Sequence, residues 1–340
     1  MTTKPARSKR ATVHDVALEA GVSRGTVSRY VNGERYVSAA AREAIEAAIA
    51  KVGYVPNTAA RNLVMQRTQA VGFIVHEPHS LFVEDPNIGE ILLGANTRLS
   101  EADHQMAVLI VDTERDTDRV ARYLSGGLVD GVIIVSARAD DPVTRVVERL
   151  KLPAAYVGHP PGAAGSASFV VIDNVGAASS ITRRLMETGR RRIGMVAAAL
   201  DRDSGADRLS GFREALGDAF DEALVEPVPL YSYSAGRDGM RRLLERAPDL
   251  DGVFAASDAV AAGAIEAIKE TGRHVPDDIG VVGFDDSAWA LRTTPALSTV
   301  RQPAAGLGAE AARLVLTRLR GDEPPAEVRL DCDIVWRGSA

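Results

Sequence analysis

A short run of polar and basic side chains near the amino terminus has the chemistry needed to bind DNA. The run from Ser23 to Arg29 reads SRGTVSR. Its hydroxyl and guanidinium groups can donate hydrogen bonds to phosphate oxygens and to base edges. Arg24 and Arg29 also carry positive charge, which the phosphates of a nucleic acid attract. If one helix presents these side chains together, they form a candidate nucleic-acid interface.

A helix and a tight turn are predicted just before this run. Thr12 and Asp15 have the spacing of a capping box, which predicts a helix over 13–20. Gly21 follows, and a residue that tolerates positive φ permits a sharp turn there. The run therefore begins immediately after a turn, where a new helix can start.

A second and a third helix complete the predicted unit. Ser23 is the expected N-cap of a helix over 24–32, which buries Val27 and Val31 and leaves most of the polar side chains outward. A third helix is predicted from Ser38, with apolar residues at helical spacing. This arrangement is typical of a helix-turn-helix, whose second helix lies in the major groove. Generic three-helix bundles share the pattern, so both interpretations stay open on these grounds alone.

Charge is divided unequally along the chain. The whole chain has 40 Lys+Arg against 46 Asp+Glu, a formal net charge of −6. Residues 1–70 hold 11 basic residues against 5 acidic ones, whereas the remaining 270 residues carry a net charge of −12. A small basic module joined to a larger acidic one is expected when only one end of a chain meets phosphates. A basic tail on an enzyme is the alternative that charge leaves open.

Beyond residue 70 the sequence alternates between strand-length apolar runs and amphipathic helical segments. The apolar runs occupy 71–75, 106–111, 131–135, 154–157, 169–172, 192–196, 252–256 and 280–284. The amphipathic segments include 176–188, 208–216, 236–246 and 259–271. This alternation predicts an α/β fold with parallel sheets, and two series of units predict two similar lobes. Ligands of such sheets bind beyond the carboxyl ends of the strands, which here means in the cleft between the lobes.

Composition excludes several classes of protein. Hydrophobic residues make up 46% and charged residues 25% of the chain, which is typical of a globular protein. No apolar run approaches the ~18 residues of a membrane span, and the first residues do not resemble a secretory signal. Cys332 is the only cysteine, which excludes an internal disulfide and a zinc thiolate cluster. We therefore expect a cytoplasmic protein with no membrane contact.

Signatures of common enzymes are also missing from the sequence. It has no P-loop. The nearest match to a dinucleotide fingerprint, 306–311, follows a Gln-Pro pair rather than a strand. His76 and His79 lie near Glu77 but lack a third ligand at suitable spacing, so a solvated loop is expected there. We expect no catalytic residue, no metal site and no cofactor.

Residues 12–63 resemble the DNA-binding region of the lactose-repressor (LacI/GalR) family. The segment carries the pattern T-x-x-D-V-A-x-x-A-G-V-S-x-x-T-V-S-R-x-x-N-G, followed by V-S, G-Y-x-P-N and A-R-x-L. The resemblance implies a helix-turn-helix headpiece over 1–56 and a hinge helix with a linker over 57–70. The residues that it implies as DNA contacts are Thr12, Ser23, Arg24, Gly25, Thr26, Ser28, Arg29, Asn32, Tyr54, Asn57, Ala60, Arg61 and Leu63.

The implied hinge helix has a specific role in this family. Leu63 matches a leucine that wedges between base steps in the minor groove, which unstacks the bases and bends the duplex. A helix of this length is too short to be stable alone, so we expect it to form only when two chains dimerise on DNA.

The resemblance continues over nearly all of the remaining chain and implies a periplasmic-binding-protein-like pair of lobes. The amino-terminal lobe would comprise about 71–173 and 303–332, and the carboxyl-terminal lobe about 174–302 and 333–340. The residues implied as effector contacts are Arg202, Ser204, Arg208, Tyr231, Ser257, Asp285 and Trp289. The Arg208 guanidinium offers a rigid fork of donors suited to vicinal hydroxyls, and Asp285 would accept hydrogen bonds from a ligand. We expect Asp258 to cap the helix that begins at 259.

One stretch departs from the family pattern. Members commonly carry an aromatic pair near the end of the first strand–helix loop, whereas this chain has Asp85-Pro86-Asn87-Ile88 within a predicted loop over 76–87. The residues that would stack on a ligand ring are therefore undetermined, and so is the effector.

The resemblance implies a transcription regulator, a repressor, that binds a pseudo-palindromic operator as a homodimer. Its effector is expected to be a small molecule between the lobes, a sugar or a sugar derivative. Two alternatives stay open: a regulator with a nucleobase corepressor, and a solute-binding protein that does not bind DNA. The sequence does not decide whether the effector induces or corepresses, which operator and genes are involved, or whether dimers pair into tetramers. A dimer is expected because no heptad repeat follows Trp336.

Overall fold

The computed structural model of the protein describes residues 11–31, 36–54, 67–138, 141–160 and 167–340. The chain divides into two compact units, residues 1–68 and residues 69–340. The described part of the first is called the headpiece below, and the described part of the second is called the sensor unit.

The headpiece has three helices around a small apolar core. Its helices are α1 (Val13–Ala20), α2 (Arg24–Val31) and α3 (Ala39–Val52). Thr12 and Asp15 form the capping box of α1, and Gly21 ends that helix at φ 64°. The buried core residues are Val16, Ala17, Val27, Ile45, Ala48 and Tyr54. The predicted caps, turn and helices are confirmed, because each depends on residues close together in sequence.

The sensor unit contains two six-stranded sheets. Its strands are β1 (Ala70–Val75), β2 (Gln105–Ile110), β3 (Gly131–Val135), β4 (Ala154–Val157), β5 (Ser168–Ile172), β6 (Ile193–Ala198), β7 (Val225–Val228), β8 (Gly252–Ala255), β9 (Gly280–Asp285), β10 (Ser298–Arg301), β11 (Glu327–Leu330) and β12 (Asp333–Val335). The first sheet has the order β11-β5-β4-β3-β1-β2 and is parallel throughout. The second has the order β12-β10-β9-β8-β6-β7, and β12 alone runs antiparallel. The predicted α/β class with two parallel sheets is confirmed.

Helices cover both faces of the sheets. They are α4 (His79–Glu84), α5 (Pro86–Ser100), α6 (Glu114–Ser125), α7 (Pro142–Leu150), α8 (Asn174–Glu187), α9 (Asp203–Leu216), α10 (Tyr233–Arg246), α11 (Asp258–Glu270) and α12 (Ala304–Leu319). Helix α12 packs on α5 and on strands of the first sheet, whereas α8 packs on α9 and on strands of the second. Within the described residues, the chain therefore passes between the two lobes three times: after β5, after β10 and after β11.

The order of strands places a binding crevice in each lobe. In the first sheet β1 lies between β2 and β3. The strand order therefore runs outward from β1 in two directions, to β2 on one side and to β3 on the other. In the second sheet β6 lies between β7 and β8 in the same way. Side chains just beyond the carboxyl ends of these strands are where an α/β fold binds ligands.

Two parts of the fold differ from the sequence prediction. The predicted loop over 76–87 was wrong, because α4 and the start of α5 occupy most of it. Asp85 caps α5 and Pro86 takes its first position, which are local helix signals, while the six-residue α4 is too short for a periodic pattern. Strands β7, β10, β11 and β12 were not predicted; each has only three or four residues, and β11 and β12 have no fully buried residue.

Candidate effector cavity and DNA interface

Helix α2 presents four of the predicted DNA contacts at the surface of the headpiece. Its exposed positions are Arg24, Gly25, Ser28 and Arg29. The Ser23 hydroxyl accepts a hydrogen bond from the backbone N–H of Thr26 at 3.1 Å, which stabilises the first turn of α2. Nε of Arg29 donates to the carbonyl of Gly25 at 3.3 Å, so this guanidinium lies back along the helix. Two arginines and several hydroxyls thus share one helix and its start.

Three groups of predicted DNA contacts lie elsewhere. Thr12 is exposed, and its hydroxyl donates to the Asp15 carboxylate at 2.8 Å within the capping box. Tyr54 is only 8% exposed and packs in the headpiece core, so most of its surface supports the helices. The other predicted contacts lie outside the described residues, as does most of the predicted hinge; they are Asn32, Asn57, Ala60, Arg61 and Leu63.

In the sensor unit, a cavity of about 110 Å³ lies between the two lobes at the carboxyl ends of their strands. It is called the effector cavity below. Five predicted effector residues line it: Arg202, Ser204, Arg208, Tyr231 and Asp285. The first lobe contributes residues that follow β1 and β3, among them Glu77 and Ser136. The cavity therefore has walls from both lobes.

Arg208 is the most highly coordinated side chain of the effector cavity. It is 5% exposed, and Nε donates to Oδ1 of Asn174 at 3.1 Å while Nη1 donates to the Ala256 carbonyl at 2.6 Å. Nη2 lies 3.3 Å from Oδ1 of Asp285. The guanidinium also lies over the Phe284 ring, 3.7 Å from its centroid. These contacts fix the fork of donors in one orientation before any ligand arrives.

Arg202 joins the two lobes through a buried ion pair. Its Nη1 and Nη2 lie 2.6 and 2.8 Å from the two carboxylate oxygens of Glu77. Both side chains are almost fully buried. Removing one partner of such a pair would leave a buried charge uncompensated, so the link is costly to break. Nearby, Ser204 and Tyr231 share a hydrogen bond of 3.1 Å between their hydroxyls.

Carboxyl groups of the effector cavity resist ionisation. Burial raises the pKa of Asp285 to about 6, although Arg208 and Gln302 stabilise its charged form. Nε2 of Gln302 donates to Oδ1 of Asp285 at 2.7 Å. Burial and then the charge of Asp285 raise the pKa of Asp85 to about 7. Burial also raises the pKa of Glu77, despite the adjacent Arg202. The cavity is thus a polar site in which negative charge is already crowded.

Two predicted effector residues do not line the cavity. Ser257 caps α11, where its hydroxyl accepts from the backbone N–H of Val260 at 3.3 Å. The predicted cap, Asp258, was wrong, because its fully buried carboxylate instead accepts from the backbone N–H of Ser287 at 2.7 Å. Trp289 stacks on Tyr233, with their ring centroids 5.7 Å apart.

Several lining residues were not identified from the sequence. They are Glu77, Asp85, Asn87, Asn174, Asp203 and Gln302. Glu77 and Gln302 lie within two residues of the carboxyl ends of β1 and β10, so the rule that ligands bind beyond such ends could have indicated them. Asp85 and Asn87 had no such signal, because the helix that presents them was not predicted.

Neither a metal-binding cluster nor a membrane-spanning helix occurs within the described residues. No group of three or more histidine, cysteine, aspartate or glutamate side chains there could hold a metal ion, and the expected solvated loop at His76 was wrong because that residue is buried. No described helix combines the length and the apolar character that crossing a bilayer requires.

A helix-turn-helix joined to a two-lobed binding unit defines a class of transcription regulators that carry a ligand-binding domain. Comparisons with known proteins agree with this class. Residues 12–57 match the family described as bacterial regulatory proteins, lacI family, and residues 182–340 match a periplasmic binding protein-like domain. The HTH-type transcriptional regulator CelR of Thermobifida fusca is 41% identical, over 98% of this chain and 99% of CelR. The repressor CytR of Escherichia coli (strain K12) is 30% identical, over 97% and 96%.

Solved structures give the same result. A CelR–cellobiose complex has a TM-score of 0.78 and 40% identity, covering 97% of this chain and 100% of that one. The lac repressor dimer bound to operator and the anti-inducer ONPF has a TM-score of 0.86 and 25% identity, covering 97% and 99%. The chain belongs to the LacI family of bacterial regulatory proteins. It is a DNA-binding transcriptional regulator and not an enzyme.

Proposed function

We propose that this regulator is a cytoplasmic repressor that binds a pseudo-palindromic operator as a homodimer, and that a sugar in the effector cavity controls its operator affinity. The observation that carries this proposal is the Arg208–Asp285 pair, buried in a cavity with walls from both lobes. Both residues of the pair belong to the second lobe, and a ligand that they hold would also meet first-lobe residues of the cavity wall, such as Asp85. Its binding can therefore change the angle between the lobes.

The side chains of the effector cavity suit a polyol. Arg208 provides donors at fixed directions, while the carboxylates of Asp85 and Asp285 accept hydrogen bonds from hydroxyl groups. Tyr231 adds an aromatic face on which an apolar face of a sugar ring can pack. CelR, which is 41% identical, has been solved with cellobiose. Cellobiose is therefore the first candidate for the effector of this regulator.

Contacts across the cleft provide the means of control. Besides the Arg202–Glu77 pair, the backbone N–H of His159 in the first lobe donates to the Asp203 carboxylate at 2.6 Å. The backbone N–H of Tyr233 in the second lobe donates to the carboxylate of Glu84 in the first lobe at 2.9 Å. A ligand that favours one arrangement of these contacts shifts the population of lobe angles. By linkage, a ligand that weakens operator binding is itself bound more weakly by the operator complex.

DNA recognition is assigned to α2 and the hinge. Arg24, Ser28 and Arg29 would contact base edges and phosphates from the major groove, with the start of α2 directed at the bases. Leu63 would wedge between base steps at the centre of the operator, where the hinges of two chains meet. The two-fold symmetry of the dimer then requires a pseudo-palindromic site.

The test begins with an operator selected from a random duplex library with the full chain. Fluorescence anisotropy then measures operator binding during titration with cellobiose, other sugars, polyols and nucleobases. We expect cellobiose or a related sugar to release the operator. If no sugar changes operator binding, the proposed effector class is wrong. If a nucleobase strengthens binding instead, the regulator uses a corepressor.

A further inference from the structure

Asp85 places a carboxylate in the effector cavity. Asp85 lies at the start of α5, and its Oδ1 accepts a hydrogen bond from the backbone N–H of Asn87 at 2.9 Å. Within the described residues, this is the hydrogen bond that the Asp85 carboxylate accepts. No lysine, arginine or histidine of the described residues forms an ion pair with it. Asp85 therefore faces the cavity as an acceptor whose charge is not compensated by an ion pair.

The two guanidinium groups of the effector cavity are each already paired with a carboxylate. The lining side chains include the carboxylates of Glu77, Asp85, Asp203 and Asp285 but the guanidiniums of Arg202 and Arg208 alone. Each arginine is bound to one of these carboxylates, Arg202 to Glu77 and Arg208 to Asp285. Among the described residues that line the cavity, an acid group on a ligand would thus find no cation that is not already paired, and it would add negative charge beside Asp85.

The ionisation of Asp85 is consistent with this crowding. Burial and the neighbouring Asp285 raise its pKa to about 7, which shows that the cavity opposes one more negative charge even on its own side chain. A carboxylate or phosphate on a ligand would experience the same low-dielectric surroundings and the same neighbouring charges.

We propose that Asp85 makes the effector cavity selective for uncharged ligands, so that the acid or phosphate form of an otherwise suitable ligand is rejected. This inference rests on the proposed function in one respect: it takes the effector cavity as the binding site. It does not depend on which neutral ligand binds there, and it gives Asp85 a role in specificity beside the hydrogen bond to a hydroxyl group that is proposed for it.

The experiment compares matched ligands that differ only in charge, by calorimetry at pH 8 with the full chain. The sugar set is cellobiose, the two monocarboxylates with one C6 oxidised, and their methyl esters. The nucleoside set is adenosine and adenosine 5′-monophosphate. In whichever set binds, we expect the acid to bind at least about tenfold more weakly than its neutral counterpart. Within the sugar set, the methyl esters control for the change in shape.

Three variants assign the discrimination to Asp85. In Asp85→Asn we expect the ratio between neutral and acid forms to fall below about threefold. The start of α5 should be kept, because asparagine also caps helices well. Asp85→Ser is a second capping variant if the first does not fold. Asp112→Asn makes the same charge change outside the cavity, where Asp112 contacts His79, and should leave the ratio unaltered.

The possible failures are distinguishable. If acid and neutral forms of the bound set have equal affinity, or if Asp85→Asn keeps the wild-type ratio, the selectivity is disproved and the sugar effector can still stand. If the nucleoside set binds and the sugar set does not, the sugar effector is disproved, and the selectivity is then decided by adenosine and its phosphate.

Discussion

The headpiece and the sensor unit use arginine in opposite ways. Arg24 and Arg29 are exposed on α2. Arg202 and Arg208 are each 5% exposed and bound to carboxylates. An exposed guanidinium suits a long, uniformly charged partner, since it gains affinity by releasing counterions. A buried and paired guanidinium suits a small neutral partner, since its donors are already oriented. One chain thus contains two recognition chemistries, and each can be perturbed without the other.

The largest contrast between the two regions should appear with salt. Operator affinity should fall by about a thousandfold or more between about 50 and 200 mM salt, if six or more phosphates are contacted. Cellobiose affinity should change by less than about twofold, because the charges in the effector cavity are buried and paired. Anisotropy and calorimetry measure the two over the same salt series. A parallel salt dependence of both would show that the regions do not differ in the way described.

Removing a buried arginine should abolish the response to the effector. Arg208→Ala leaves Asp285 without its cation, and we expect cellobiose affinity to fall by at least about 100-fold, with operator binding roughly intact. The measurement is cellobiose titration of the preformed operator complex, with a thermal denaturation to check folding. Arg183→Ala is the matched control, since Arg183 pairs with Glu214 at the surface. An unaltered titration in Arg208→Ala would remove Arg208 from the effector site.

Removing an exposed arginine should give the converse result. Arg24→Ala should weaken the selected operator by about 1–3 kcal/mol and relax specificity at one base pair, while cellobiose binding is unchanged. Lys51→Ala, an exposed lysine on α3 that pairs with Glu19 of α1, makes the same charge change away from α2. Competition binding against single-base operator variants measures both the loss of affinity and the loss of specificity. Equal losses in the two variants would indicate that total charge, not the position of Arg24, determines binding.

The hinge should matter only to the operator complex. Leu63→Ala removes the proposed wedge, and we expect the specific affinity to fall by about tenfold, with binding to random duplexes little changed. The cellobiose affinity of the free protein should equal that of wild type. A gel-shift series with wild-type affinity for the operator would remove the wedge from the account.

The smallest expected effect concerns pH and the sensor unit alone. Asp85 has a folded-state pKa near 7 against an ordinary value of 3.8, so its protonated form stabilises the fold and that stabilisation is lost as pH rises through about 7. Asp85→Asn lacks this dependence. At pH 8 the free energy of unfolding of the variant should exceed that of wild type by about 1 kcal/mol, a value that is discounted because Asp85 is partly exposed. The difference should be smaller at pH 6. Thermal melting at the two pH values measures it; a difference independent of pH contradicts the burial of this charge.

The two regions also differ in how much the sequence could predict. In the headpiece, the helix bounds, the capping box and the turn at Gly21 followed from residues within a few positions of one another. Only Tyr54 had to be placed by tertiary packing, and it lies in the core. Local signals were therefore sufficient for nearly all of the described headpiece.

In the sensor unit, the α/β class and most strands were predictable, but the completed cavity was not. Glu77 and Arg202 are 125 positions apart, and no pattern in the sequence indicates that they pair. Asp85 and Asn87 line the cavity at the start of α5, a part of the chain for which the sequence predicted a loop. Trp289 followed the family resemblance, yet the geometry places its ring against Tyr233. The seven effector assignments and the division into lobes remain predictions.

The central claim is that a sensor governs a DNA reader through binding alone, and a linkage cycle tests it most directly. Operator affinity is measured with and without saturating cellobiose, and cellobiose affinity is measured with and without saturating operator, while the ligand is assayed for chemical change. We predict that the two affinities fall by the same factor, of at least about tenfold, and that the cellobiose is recovered intact. Unequal factors, no change in either affinity, or conversion of the sugar would contradict the account.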